Sequence, residues 1–306
     1  MNVNYKKSIN YLKLKPKNNV AIIGSSICSC LLGDYLKSKF GVNVVFYEKS
    51  DYIGGAWRSD DNGNIFSNIV APLTANEKII FKKFLKFLSK KNIKYKKRKY
   101  KSYYANQFID SYFVDFFNFY KKIKKEHKFR FLKVNTITEN NKNVLINNKF
   151  KHDYVFFPNY IDLKKISKNS FPALTFKLPK LKKIKSRHVR IFFKKRIKDK
   201  LKIFFYSDKK FGPIDRLQII KIRKNLFKLS GRVAIEFKKK SKSFLINNLV
   251  KFFDIKDIIR SNLNYYESMY YSQSDVKKIS LINNNFNKIK HYDTESVLGF
   301  FKKYLL

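Results

Sequence analysis

The stretch VAIIGSSICSC (residues 20–30) decides how the rest of the chain is read. Val20 to Ile23 is a short apolar run of strand-forming residues that ends at Gly24, and Ile27, Leu31, Leu32, Tyr35 and Leu36 then recur at helical spacing. A strand, a tight turn and a helix are implied. Beyond Gly41, VNVVFYE (42–48) is a second apolar strand, and it stops at the acidic Glu48.

Strand, helix and strand make a βαβ unit of the Rossmann type. In such a unit the helix N-terminus turns unpaired N–H groups and the positive end of its dipole toward a pyrophosphate. Glu48 stands 24 residues after Gly24, where a carboxylate accepts hydrogen bonds from an adenosine ribose. The glycine pattern of the turn is altered. Gly24 keeps the tight turn, Ser26 replaces the glycine that lets backbone approach phosphate, and Ser29 replaces the one that lets the helix pack against the strand. Ser29 is small enough for that packing. Ser26 places a Cβ where the ligand comes close, and it either crowds a phosphate or donates its hydroxyl to one.

The next segment, EKSDYIGGAWRS (48–59), sets a Gly-Gly pair six and seven residues after the acidic strand end. With it the sequence resembles the flavin-dependent oxidoreductases of the amine oxidase, protoporphyrinogen oxidase, phytoene desaturase and UDP-galactopyranose mutase group. In that group the equivalent pair lets the chain pass the FAD diphosphate and ribityl, and a nearby arginine supports the phosphates; Gly54, Gly55 and Arg58 match. The resemblance implies FAD as cofactor. It implies contacts from Gly24, Ser25, Ser26 and Ser29 in the turn, Glu48 and Lys49 at the strand end, and Gly54, Gly55, Ala56, Trp57 and Arg58 in the loop.

Further along, FRFLKVNTITENNKNVLINNKFKHDYVFFPNYID (129–162) resembles the family's return to the FAD domain: a strand with Val134, a hairpin, and a strand ending near the flavin. Val134 would then sit beside the adenine. Family members close with a Gly-Asp pair and a helix at the diphosphate; here HYDTESVLGFFKKYLL (291–306) offers Asp293 and Thr294 before a helical run, a degenerate remnant or an ordinary helix cap. The fold class expected is α/β, a Rossmann-type FAD-binding domain interleaved with a smaller α+β substrate domain. The first would comprise residues 17–75, 127–165 and 285–306, and the second 76–126 and 166–284. Helices are expected over 76–90, 107–127 and 242–254, and strands over about 170–240. The aromatic stripes, Phe81, Phe84 and Phe87 in one helix and Phe108, Tyr112, Phe116 and Tyr120 in the other, read as core. Asp215 and Arg216 read as a surface salt bridge on the substrate-domain sheet.

Composition bounds the function. Of 306 residues 44% are hydrophobic and 17% aromatic, enough for a sizeable core. The 68 Lys and Arg against 22 Asp and Glu give a net charge of +46, which points to anionic partners. Only ten of those cations are arginine, however, and they recur along the whole chain without a nucleic-acid-reading motif, so no specific nucleic-acid partner is expected. No apolar stretch reaches the roughly 18 residues of a membrane span. Cys28 and Cys30 are the only cysteines, which excludes a disulfide framework or zinc site and fits the cytoplasm. The four histidines are dispersed without metal-ligand spacing. Three functions stay open. They are an FAD-dependent oxidoreductase acting on a small-molecule substrate, a cofactor-free relative serving as scaffold, and a polyanion-binding protein.

Overall fold

The computed structural model describes residues 13–55, 68–70, 75–102, 107–140, 142–158, 182–194, 204–206, 213–223, 225–270, 275, 279, 286–292 and 297–306. Strand β1 (Asn19–Ile23) leads through Gly24 into helix α1 (Ile27–Phe40), and β2 (Asn43–Glu48) follows. The apolar residues of both strands and of the helix are buried, apart from the partly buried Tyr35, Phe40 and Val45. The helix stops because Gly41 takes the left-handed conformation (φ 66°) and its N–H donates to the Lys37 carbonyl.

The chain continues with β3 (Asn68–Val70), α2 (Ala75–Lys90), β4 (Lys94–Ser102), β5 (Gln107–Asp115), α3 (Phe117–Glu126) and β6 (Lys128–Phe131). A meander of β7 (Ile137–Glu139), β8 (Val144–Ile146) and β9 (Phe150–His152) precedes β10 (Tyr154–Pro158). Then come β11 (Lys182–Phe193), β12 (Phe204–Tyr206), β13 (Ile214–Arg223), β14 (Leu226–Val233), α4 (Lys242–Phe252), β15 (Ile258–Tyr270) and β16 (Ile289–Tyr292). The described chain closes with α5 (Val297–Phe300) and a π-helical turn, Phe301–Leu305.

Five strands form a parallel sheet in the order β16-β10-β1-β2-β6. One face carries Val20, Ile22, Val44, Phe46 and Phe156, packed under α1, α2, α3 and the C-terminal helix. The other face carries Ala21, Ile23, Tyr47, Val155 and Phe157 against the three-stranded meander. With Rossmann-type strands and helices in this arrangement, the α/β class read from the sequence is the class observed. A second sheet of eight strands runs in the order β15-β11-β14-β13-β12-β4-β5-β3, with α4 burying Leu245 and Leu249 against Val189, Ile191 and Leu229.

Two packing details hold α1 in place. A Cβ at Gly33 would lie 2.5 Å from the Phe46 ring. Phe46 is itself buried and stacked on Phe129 at 4.8 Å, so Gly33 sets how closely helix and strand approach. The buried carboxylate of Asp34 takes Lys91, just past α2, at 2.5 Å and Lys122 of α3 at 3.8 Å, which ties three helices together.

Three expectations are corrected. Residues 107–127 are not one helix: Gln107–Asp115 is a strand paired antiparallel with β4 through nine residue pairs, and only Phe117–Glu126 is helical. Phe108 and Tyr112 therefore belong to a strand. Phe116 caps the helix and Tyr120 lies inside it, both buried. Val134 lies in the connection between β6 and β7, not in a strand. Within 285–306, expected to supply the last helix, Ile289–Tyr292 is instead strand β16, which extends the parallel sheet beside β10.

Candidate functional site

The altered glycine turn stands at the C-terminal edge of the parallel sheet. Gly24 has φ 82°, a region that a side chain disfavours, and its N–H donates to the Tyr47 carbonyl at the end of β2. This ties the turn to the second strand. Ser26 is the N-cap of α1: its Oγ accepts from the Ser29 N–H at 3.3 Å and shares a hydrogen bond of 2.9 Å with Ser29 Oγ. Ser29 is fully buried, and its Oγ accepts from the Tyr292 hydroxyl at 2.7 Å. A hydrogen-bonded chain thus runs from β16 into the turn, and the two serines that replace glycines are both part of it.

Glu48 is buried at the end of β2, within the same turn. Its Oε2 accepts from the Ser25 N–H at 2.9 Å and from the Ser25 hydroxyl at 2.8 Å, and its Oε1 accepts from the Ser50 N–H at 3.0 Å. A carboxylate offers about four lone-pair positions, and among the described residues three of them are filled, two on Oε2 and one on Oε1. The charged carboxylate, the burial and the loop after β2 therefore act together. Lys49, next in sequence, is exposed.

The Gly-Gly pair is brought to the same place. Gly54 donates its N–H to the Ser25 carbonyl at 2.8 Å and forms an isolated parallel bridge with Ser26. Its φ is 99°, which again favours glycine. A Cβ on Gly55 would sit 3.7 Å from the Ser26 Cα, in ordinary contact. The turn, the acidic strand end and the glycine pair thus converge, although 30 residues separate Gly24 from Gly54.

Of the remaining sequence-derived residues, Val134 is half-buried against the apolar cluster that includes Ala21, Ile23 and Tyr47. Ala56, Trp57, Arg58, Asp293 and Thr294 lie outside the described residues. Two participants were not foreseen. Ser50 is invisible to pattern reading because it acts through its backbone. Tyr292 is a strand tyrosine whose partner lies 263 residues away. Cys30 donates its Sγ–H to the Ser25 carbonyl at 3.5 Å; burial, then the charges of Glu48 and Cys28, push its thiol well above the usual range. It is a structural thiol, not a nucleophile.

No family model and no curated protein matches the sequence. Solved structures do match the fold. An Exiguobacterium protein assigned as a protoporphyrinogen oxidase superposes with a TM-score of 0.60 at 9% identity, covering 91% of this chain and 94% of its own. A fatty acid isomerase from P. acnes that produces CLA gives 0.58 at 9%, covering 90% and 93%. L-proline dehydrogenase from P. horikoshii gives 0.56 at 14%, covering 95% and 91%. At these identities the likeness is one of fold alone. The group that the pattern of Gly24, Glu48, Gly54 and Gly55 resembles includes protoporphyrinogen oxidases, the description that the Exiguobacterium structure carries.

Proposed function

We propose that the chain is an FAD-dependent oxidoreductase that binds FAD non-covalently across the β1–α1 turn. One observation carries the reading: the bridge between Ser26 and Gly54, with the Gly54 N–H on the Ser25 carbonyl, unites two glycine-bearing loops beside a buried carboxylate. The donor set fits the cofactor's charge. Amides at the start of α1 face a diphosphate with the helix dipole behind them, and Glu48 keeps one acceptor position for a ribose hydroxyl. Bound flavin would supply the hydride acceptor, N5, for a small-molecule substrate.

The chain's own residues have assigned roles in this reading. Gly24, Ser25, Ser26 and Ser29 shape the turn, Gly54, Gly55, Ala56 and Trp57 carry the chain past the diphosphate, and Lys49 and Arg58 supply positive charge. Val134 borders the adenine, and Asp293 and Thr294 approach the diphosphate from the C-terminal segment. The FAD domain is discontinuous, drawn from 17–75, 127–165 and 285–306, with the substrate domain formed by 76–126 and 166–284. A cytoplasmic location goes with this reading. Among the described residues no helix is long and apolar enough to cross a membrane.

A second reading rests on how far Glu48 is already bonded within the chain. With Ser25 and Ser50 donating to it and Ser26, Ser29 and Tyr292 bonded among themselves, the polar side chains of the turn are already bonded within the chain. That arrangement suits a cofactor-free scaffold protein. An absorbance scan of purified protein, followed by FAD titration, separates the two. Flavin bands or stoichiometric uptake support the enzyme, and a colourless protein that takes up no FAD supports the scaffold.

A further inference from the structure

A cleft of about 500 Å³ opens at the opposite edge of the parallel sheet, where β1 and β2 begin at Asn19 and Asn43. Five strand residues at about 3.3 Å each separate the Asn19 end of the cleft from the turn at Gly24, some 16 Å away. One wall is the meander-side face of β2 and β6, where Tyr47 and Arg130 are register neighbours. The other is β9 and the turn before it, with Lys149, Phe150, Lys151 and His152.

Five cations line the cleft, namely Lys37, Lys128, Arg130, Lys149 and Lys151, against the single carboxylate of Glu126. In a chain with 68 cations and 22 anions such an excess is not by itself informative. Two further observations are. Arg130 is half-buried and stacked over Phe150 at 4.2 Å, which orients the guanidinium without neutralising it; among the described residues no carboxylate pairs with it. The floor is polar: the buried Tyr47 hydroxyl and His152 Nε2 lie 2.7 Å apart, and His152 Nδ1 has no hydrogen-bond partner among the described residues. Asp153 stands next to this floor, but its Oδ2 already accepts from the Asn19 N–H and the Asn18 amide.

We propose that this cleft is a second binding site, for a small soluble ligand bearing a di- or triphosphate. Arg130 supplies the planar fork that matches phosphate oxygens, and Lys128, Lys149 and Lys151 supply the remaining charge. The volume falls in the range of small-molecule sites. Burial, reinforced by the Arg130 charge, lowers the His152 pKa to about 4, so the imidazole is neutral at pH 7 and the lining's charge comes from its Lys and Arg.

The test is calorimetric titration of the full chain with inorganic tripolyphosphate near physiological ionic strength, where surface attraction is largely screened. One saturable site is expected. Arg130→Gln should weaken it at least tenfold, and Tyr47→Phe, a milder change, about threefold or more. The double substitution Lys83→Gln and Lys86→Gln, on an exposed part of α2, should leave affinity within twofold. Circular dichroism establishes that each variant is folded. Many weak sites, equal in the Arg130→Gln and α2 variants, would reduce the effect to bulk charge and overturn the site. Displacement of tripolyphosphate by an equimolar short DNA duplex would overturn the small-ligand assignment in favour of a polymer. If Arg130→Gln is not folded, an unchanged affinity in Tyr47→Phe overturns the proposal.

Discussion

Replacing Ser25 by alanine separates the two roles of Glu48. The substitution removes one buried hydrogen bond, 2.8 Å long, from a hydroxyl to an ionised carboxylate, and it leaves the Ser25 and Ser50 N–H bonds in place. A hydrogen bond to a charged group contributes about 1.5–3 kcal/mol, so stability measured by urea unfolding should fall by that amount at constant m-value. The same change releases one lone pair on Oε2. A ribose hydroxyl that takes it gains a net ~0.5–1.5 kcal/mol, equivalent to roughly two- to tenfold tighter FAD binding by calorimetry. Lower stability together with tighter FAD binding is the expected signature. Unchanged stability would mean that the Ser25 hydroxyl does not hold Glu48. Lower stability with weaker FAD binding would mean that Ser25 itself contacts the cofactor.

Other substitutions probe other links. Gly33→Ala forces a methyl to within 2.5 Å of the buried Phe46 ring, which stacks on Phe129, and should cost about 1–3 kcal/mol in urea unfolding while leaving FAD affinity within twofold. Ser26→Ala removes the α1 cap and should cost ~0.5–2 kcal/mol, whereas Ser26→Gly should cost only a few tenths; if the Ser26 Cβ crowds a phosphate, the glycine variant also binds FAD more tightly. His127 and His152 both have pKa values lowered from 6.5 to about 4, by burial and then by the charges of Lys37 and Arg130 respectively. Because the folded values lie below the unfolded ones, this stabilisation is complete above pH 6.5 and is lost as pH falls from there toward 4. His127→Phe, which replaces a buried ring whose two nitrogens lack partners among the described residues, should flatten that pH dependence in a series of urea titrations.

The βαβ unit was legible because its signals are local. A short apolar run, a glycine needing positive φ, a helical repeat and a second strand ending in an acid all fall within residues 20–48. The Gly-Gly pair was legible for the same reason. Residues 107–115 were misread because Phe108, Tyr112, Phe116 and Tyr120 keep a spacing of four that mimics a helix, and the pairing with β4 that makes a strand is not written in either segment alone. The lysine-rich Lys94–Ser102 shows only charge to composition, yet it is a central strand of the larger sheet. At the site, the hydroxyl chain from Tyr292 through Ser29 to Ser26 and the capture of Glu48 by Ser25 depend on side chains meeting across the fold. Sequence reading put Ser26 in the turn and Ser29 at the start of the helix, where the structure has them. It had no means of showing that one of them caps the helix and another takes a hydrogen bond from β16.

The most direct measurement is FAD titration of the purified chain beside its Gly54→Val variant, with circular dichroism on both. Gly54 has φ 99° and touches the turn through the Ser25 carbonyl and the Ser26 bridge, so a branched side chain there distorts the point where the two loops meet. One equivalent of FAD bound by the natural chain and none by a folded Gly54→Val protein is the predicted result. Equal affinity in the two proteins, or no uptake by either, would contradict a flavin site at this turn.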